Sequence, residues 1–85
     1  MKEIIYTVKD PMGFHARPAG MLVKLSKEYS SEISVSKDGQ MISAGRLFAL
    51  MALGRKCGEE IKLIISGDDE EKAARDIEEF LENNL

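Results

Sequence analysis

The sequence predicts an α+β fold in which a four-stranded antiparallel sheet is covered on one face by three helices, in the order βαββαβα. Three observations predict it. Short runs that place apolar residues on one face read as strands, and two longer runs carry apolar residues at helical spacing. An Asp38-Gly39 pair separates the second and third runs, a strong signal for a two-residue hairpin. Eighty-five residues make one domain, 1–85, which at this size buries roughly 60–65% of its unfolded surface. Two layers are what such a chain can close.

Glu3 to Val8 reads as the first strand, with Ile4, Tyr6 and Val8 on one face. Asp10-Pro11-Met12-Gly13 is turn chemistry. Residues 16–28 read as a helix, because Ala19, Leu22, Val23 and Ser26 fall on one stripe that Met21 and Leu25 widen. Glu32 to Lys37 alternates again, with Ile33 and Val35 inward, and Gln40 to Ser43 returns with Ile42 inward. Residues 46–53 read as a short helix, followed by a loop bracketed by Gly54 and Gly58. Ile61 to Ser66 is the last strand. A final helix follows Gly67-Asp68, with Asp69, Glu70 and Glu71 in its first turn and Ala73, Ala74, Ile77, Phe80 and Leu81 as its buried stripe. The open face of the sheet should be wet. Glu3, Thr7, Ser34, Ser36 and Lys62 fit that face, whereas Ile5 and Ile64 fit it poorly.

Composition narrows the function classes. The chain is 44% hydrophobic and 32% charged, ordinary for a globular protein, with a net charge of −3. Residues 1–62 carry ten Lys/Arg against seven Asp/Glu, and residues 63–85 carry two against eight. That acidic end argues against nucleic acid as the main partner. Cys57 is the only cysteine, so no internal disulfide forms, which suits a reducing compartment. Arg55 and Lys56 beside it favour a thiolate, but a loop residue without a role is the simpler reading. The N-terminus shows no apolar export segment, and the longest apolar run, Leu47 to Leu53, is far short of the ~20 residues that a membrane helix needs. The expectation is a soluble cytoplasmic protein with no membrane insertion.

Chemistry concentrates in Gly13-Phe14-His15-Ala16-Arg17-Pro18-Ala19, where a turn becomes a helix. Pro18 belongs in a first helical turn, where a missing N–H costs nothing. This places His15, the only histidine, at or beside the N-cap, with the free N–H groups of Ala16 and Arg17 close to its ring. A helix N-terminus is a prepared anion site, and the Arg17 guanidinium adds charge-assisted bonds to phosphate oxygens. The same positive field favours a neutral imidazole, whose bare nitrogen is a nucleophile. From the residues alone, a simple capping or surface histidine stands beside this reading. With one His and one Cys, the chain lacks a zinc set, and it also lacks the nucleophile elbow of a Ser-His-Asp hydrolase.

The segment resembles the active-site motif of the histidine-containing phosphocarrier family (HPr) of the bacterial phosphoenolpyruvate-dependent sugar phosphotransferase system. Gly13, His15, Ala16, Arg17, Pro18 and Ala19 match, at the family's distance from the N-terminus. The likeness extends over nearly the whole chain, through the Asp38-Gly39 hairpin, the Leu47–Gly54 segment and Ile61 to Gly67. It implies an open-faced β-sandwich. It also implies a carrier rather than an independent enzyme, needing neither cofactor nor metal. In that scheme phosphorylated enzyme I passes a phosphoryl group to Nδ1 of His15, and enzyme IIA domains receive it. Arg17 is the implied charge partner, and the Ala16 and Arg17 N–H groups hold the phosphate.

Leu47 to Leu53 is apolar nearly all round, which an 85-residue two-layer domain cannot bury completely. Leu50 and Leu53 should face the core, leaving Leu47, Phe48 and Met51 partly exposed as a partner surface, although a fully buried helix fits the same pattern. The resemblance adds Gly20 and Lys24 to that surface, and a monomer is expected, since the patch should stay available to partners.

The chain also departs from the family. Arg46 stands where many relatives from low-GC Gram-positive bacteria carry a serine phosphorylated by an ATP-dependent kinase, so that regulatory arm should be absent. Ser43 nearby reads as a strand-end or capping residue. Met12 replaces a small polar residue, and Phe48 often matches a methionine. These departures leave three alternatives beside a general sugar-system carrier. They are a specialised copy in a regulatory or nitrogen-related relay, an interaction module that no longer transfers, and, last, a stand-alone enzyme.

Overall fold

The computed structural model describes residues 1–53 and 56–85. Gly54 and Arg55, placed by the sequence in the loop before Cys57, lie outside them. The elements are β1 (Lys2–Thr7), α1 (Ala16–Ser26), β2 (Glu32–Lys37), β3 (Gln40–Ser43), α2 (Leu47–Ala52), β4 (Glu60–Ser66) and α3 (Glu70–Asn84). The order is the expected βαββαβα, and β2 and β3 have the expected bounds.

Other bounds shift for local reasons. Val8 lies past the end of β1 but stays 1% exposed, its N–H donating to the Glu59 carbonyl and its own carbonyl accepting from the Gly58 N–H. Helix α1 stops at Ser26 rather than residue 28, because Lys27 and Glu28 donate three residues back, to Lys24 and Leu25, in a tightened last turn. In α2, Arg46 and Leu53 are the caps rather than helical residues. Strand β4 gains Glu60, and Asp69 is the N-cap of α3.

The sheet is antiparallel throughout, in the order β1-β4-β2-β3. Strand β4 therefore sits between β1 and β2, and its inward residues Ile61, Leu63 and Ile65 are at most 1% exposed. They meet Ile4, Tyr6, Ile33 and Val35 from neighbouring strands, and Ala19, Leu22, Leu50, Ala73, Ile77 and Leu81 from the helices. Met21 lies at the edge of α1's stripe, 38% exposed. Ala74 and Phe80 pack only partly against the core.

The hairpin is a two-residue turn: Lys37 pairs with Gln40, and both Asp38 (φ 50°) and Gly39 (φ 84°) take the left-handed conformation that such a turn demands. On the open face, Ser34 departs from expectation by being buried, at 9%. It sits in the row Ser43–Ser34–Ile64–Glu3, where neighbours on both sides cover a short side chain. Ile64 is half-buried in this row, while Ile5 near the sheet edge stays 66% exposed. Lys62 pairs diagonally with Glu3 at 3.0 Å across the same face.

Candidate functional site

The approach to α1 is built by a turn that the far end of the chain holds in place. The N–H groups of Lys9 and Asp10 both donate to the Leu85 carbonyl, at 2.6 and 2.7 Å. The Gly13 N–H donates to the Asp10 carbonyl at 2.9 Å, and the Asp10 Oδ1 accepts the Met12 N–H at 2.8 Å. Gly13 takes φ 70°, open to glycine and strained for most other residues. Phe14, 4% exposed, anchors the segment in the core, so the chain enters α1 in a fixed direction.

His15 is the N-cap of α1, with φ −97° and ψ −175°, the extended geometry of a cap. Its carbonyl accepts the first helical bond, from the Ala19 N–H at 3.1 Å, but its side chain makes no capping bond. The Ala16 and Arg17 N–H groups are therefore left without a partner among the described residues, and Pro18 has no N–H to lose. No acidic residue lies in the first turn, and Lys24 lies in the last. The helix dipole and the open donors together favour an anion at this end. The His15 side chain is 27% exposed, and Arg17 is exposed with no side-chain ion pair among the described residues.

Sequence reasoning missed one member of this site. In the sequence, Asp10 reads only as turn chemistry. The turn folds a single carboxylate back onto the ring, with Oδ2 3.5 Å from Nε2. That contact is longer than a hydrogen bond. The signal was the combination of Asp at the first position of a turn with glycine at its fourth, five residues ahead of the histidine.

The remaining predicted positions fall as follows. Leu50 (0%) and Leu53 (3%) are in the core, while Leu47 and Met51 pack partly against it and Phe48 stands 81% exposed. On α1, which packs against α2, Gly20 is half-buried and Lys24 exposed. Met12 is 74% exposed. Arg46 is an exposed N-cap without a side-chain capping bond, and the Ser43 Oγ accepts the Gly45 N–H at 3.2 Å, a strand-end role. Cys57 is exposed, its Sγ 3.5 Å from the Lys9 carbonyl. Among the described residues, no cluster of three or more His, Cys, Asp or Glu is arranged to hold a metal, and no helix is long and apolar enough to cross a membrane.

Comparison with known proteins identifies the family. Residues 2–83 match the family model described as the PTS HPr component phosphorylation site. The phosphocarrier protein HPr of Borreliella burgdorferi is 41% identical over 76 residues, which is 89% of this chain and 88% of that protein. The HPr-like protein Crh of Halalkalibacterium halodurans is 37% identical over 88% of this chain and 89% of that one. The crystal structure of an HPr from Thermoanaerobacter tengcongensis superposes with a TM-score of 0.89 at 38% identity, covering 96% of this chain and 92% of that one. An extended N-cap histidine at an open helix terminus, on an open-faced sheet that matches solved HPr structures, places this chain in the HPr family of phosphocarrier proteins.

Proposed function

We propose that residues 1–85 form one carrier domain in which His15 accepts a phosphoryl group on Nδ1 from phosphorylated enzyme I and donates it to sugar-specific enzyme IIA domains. The observation that carries this reading is the uncapped start of α1: a histidine at the N-cap, two adjacent N–H groups without partners among the described residues, and no acidic residue in the first turn. The Ala16 and Arg17 N–H groups hold the phosphate oxygens, and the free guanidinium of Arg17 supplies charge.

Phosphoryl transfer of this kind depends on position and electrostatics rather than on a deep pocket. The ring is half-buried, which holds it steady while leaving room for in-line approach. Partners dock on Gly20, Lys24, Leu47, Phe48 and Met51, with exposed Phe48 as the apolar anchor. The protein works in the cytoplasm as a monomer, with this surface open, and is a carrier rather than an independent catalyst.

The test is incubation with phosphoenolpyruvate and enzyme I, followed by mass analysis. One acid-labile phosphate is expected, and none in His15→Ala. Failure to gain a phosphate would end the reading.

A second reading, a specialised copy in a regulatory relay, has the likeness to the HPr-like protein Crh in its favour. Arg46 speaks against regulation through a serine at that position, since arginine offers no hydroxyl. Incubation with ATP and a serine kinase specific for this family should leave the protein unmodified, and phosphate on a serine would restore that branch.

A further inference from the structure

We propose that Asp10 is a positioning residue for His15, its carboxylate selecting the ring tautomer that leaves Nδ1 bare. The inference rests on the phosphocarrier reading of His15.

Asp10 is fixed on every side but one. Its N–H donates to the Leu85 carbonyl, its carbonyl accepts the Gly13 N–H, and its Oδ1 accepts the Met12 N–H. The remaining oxygen, Oδ2, lies 3.5 Å from Nε2 of His15. An ionised carboxylate can only accept, so it favours the tautomer in which the nitrogen facing it carries the proton. A neutral imidazole has one such proton. With it on Nε2, the lone pair is on Nδ1.

The transfer then needs no proton movement. The Nδ1 lone pair forms the new N–P bond while the donor's bond to phosphorus breaks, its electron pair staying on the donor. Nε2 keeps its proton and the ring becomes a cation. The Asp10 carboxylate faces that cation, and their contact shortens toward a charge-assisted bond. On onward transfer the N–P electron pair returns to Nδ1, and the ring is neutral again with the same proton in place.

Two substitutions separate this role from a plain turn role. Asp10→Asn keeps an oxygen for the Met12 N–H but puts an amide N–H₂ where Oδ2 was. That group donates to Nε2 and drives the ring proton onto Nδ1. Asp10→Ala removes the turn bond and leaves the ring to its own preference. A turn role alone makes Ala the worse variant. The proposal makes Asn the worse one, with phosphorylation by enzyme I slowed roughly ten- to a hundredfold, and Ala affected less.

The direct readout is the ¹⁵N spectrum of His15 in the unphosphorylated full chain with the ring neutral. The proton is expected on Nε2 in the native protein and on Nδ1 in Asp10→Asn. A native-like tautomer and rate in Asp10→Asn, or a slower Asp10→Ala, would overturn the proposal. Because the spectrum requires no phosphoryl donor, it judges Asp10 even if phosphate transfer to His15 itself failed.

Discussion

Oδ1 of Asp69 accepts both the backbone N–H of Ser31, at 2.9 Å, and the Ser31 hydroxyl, while its Oδ2 accepts the Ser30 N–H at 2.9 Å. The N-cap residue of α3 thus clips the connection between α1 and β2 to the start of the last helix. The Ser31 hydroxyl, followed by the Ser30 N–H, holds this carboxyl below the usual carboxylate range. A carboxyl whose folded value is depressed contributes stability that is complete above its unfolded value, near pH 4, and is lost as pH falls through the folded one. Asp69→Asn should therefore be less stable than the native protein at neutral pH. The gap should narrow steadily below about pH 4 in urea titrations repeated across pH.

Two glycines should respond in opposite directions to alanine. Gly67 has φ 155°, and a Cβ there would lie 2.6 Å from the Cα of Ser31, a backbone atom that cannot step aside. Gly67→Ala should cost about 1–3 kcal/mol. Gly20 lies inside α1, where a Cβ would meet nothing within 4 Å, so Gly20→Ala should gain roughly 0.5–1 kcal/mol. Urea midpoints at constant slope measure both.

The Tyr6 hydroxyl is buried without a hydrogen-bond partner among the described residues, and the side chain is 8% exposed. Burial, with the nearby Glu82 charge second, pushes the phenol up from its ordinary value. Tyr6→Phe removes an unsatisfied group while keeping the ring, so stability should rise by about 1 kcal/mol. Thermal and urea unfolding of the variant check this.

At the proposed docking surface, Phe48→Ala deletes a ring that is 81% exposed, and stability should change by no more than about 0.5 kcal/mol. Phosphorylation by enzyme I should nevertheless slow by roughly three- to tenfold. Unchanged transfer kinetics would remove Phe48 from the interface.

The elements were legible wherever a local rule set them. Strands β2 and β3 ended where alternation met Asp38-Gly39, a pair whose backbone takes the turn that its chemistry favours. His15 was placed at the cap because Pro18 belongs only in a first turn. The strand order was not legible, because the alternation of β4 carries no record of which strands flank it. The burial of Ser34, covered by neighbours from strands distant in sequence, was hidden for the same reason. The end of α1 overran by two residues, since Lys27 and Glu28 continue a helical pattern that the backbone abandons for a tighter turn. Asp10 was missed because its relation to His15 is neither periodic nor a motif spacing, and exists only once the turn has closed.

The carbonyl of Leu85 accepts the N–H groups of Lys9 and Asp10, so the last residue of the chain holds the loop that precedes the histidine. Protection of those two amides from deuterium is thereby tied to the last turn of α3 staying in place. Isotope exchange at Lys9 and Asp10 thus becomes a gauge, read some seventy-five positions away in sequence, of how firmly the final helical turn stays seated. A ligand that steadies the loop before His15 should therefore slow exchange in the last turn of α3, and the reverse should hold.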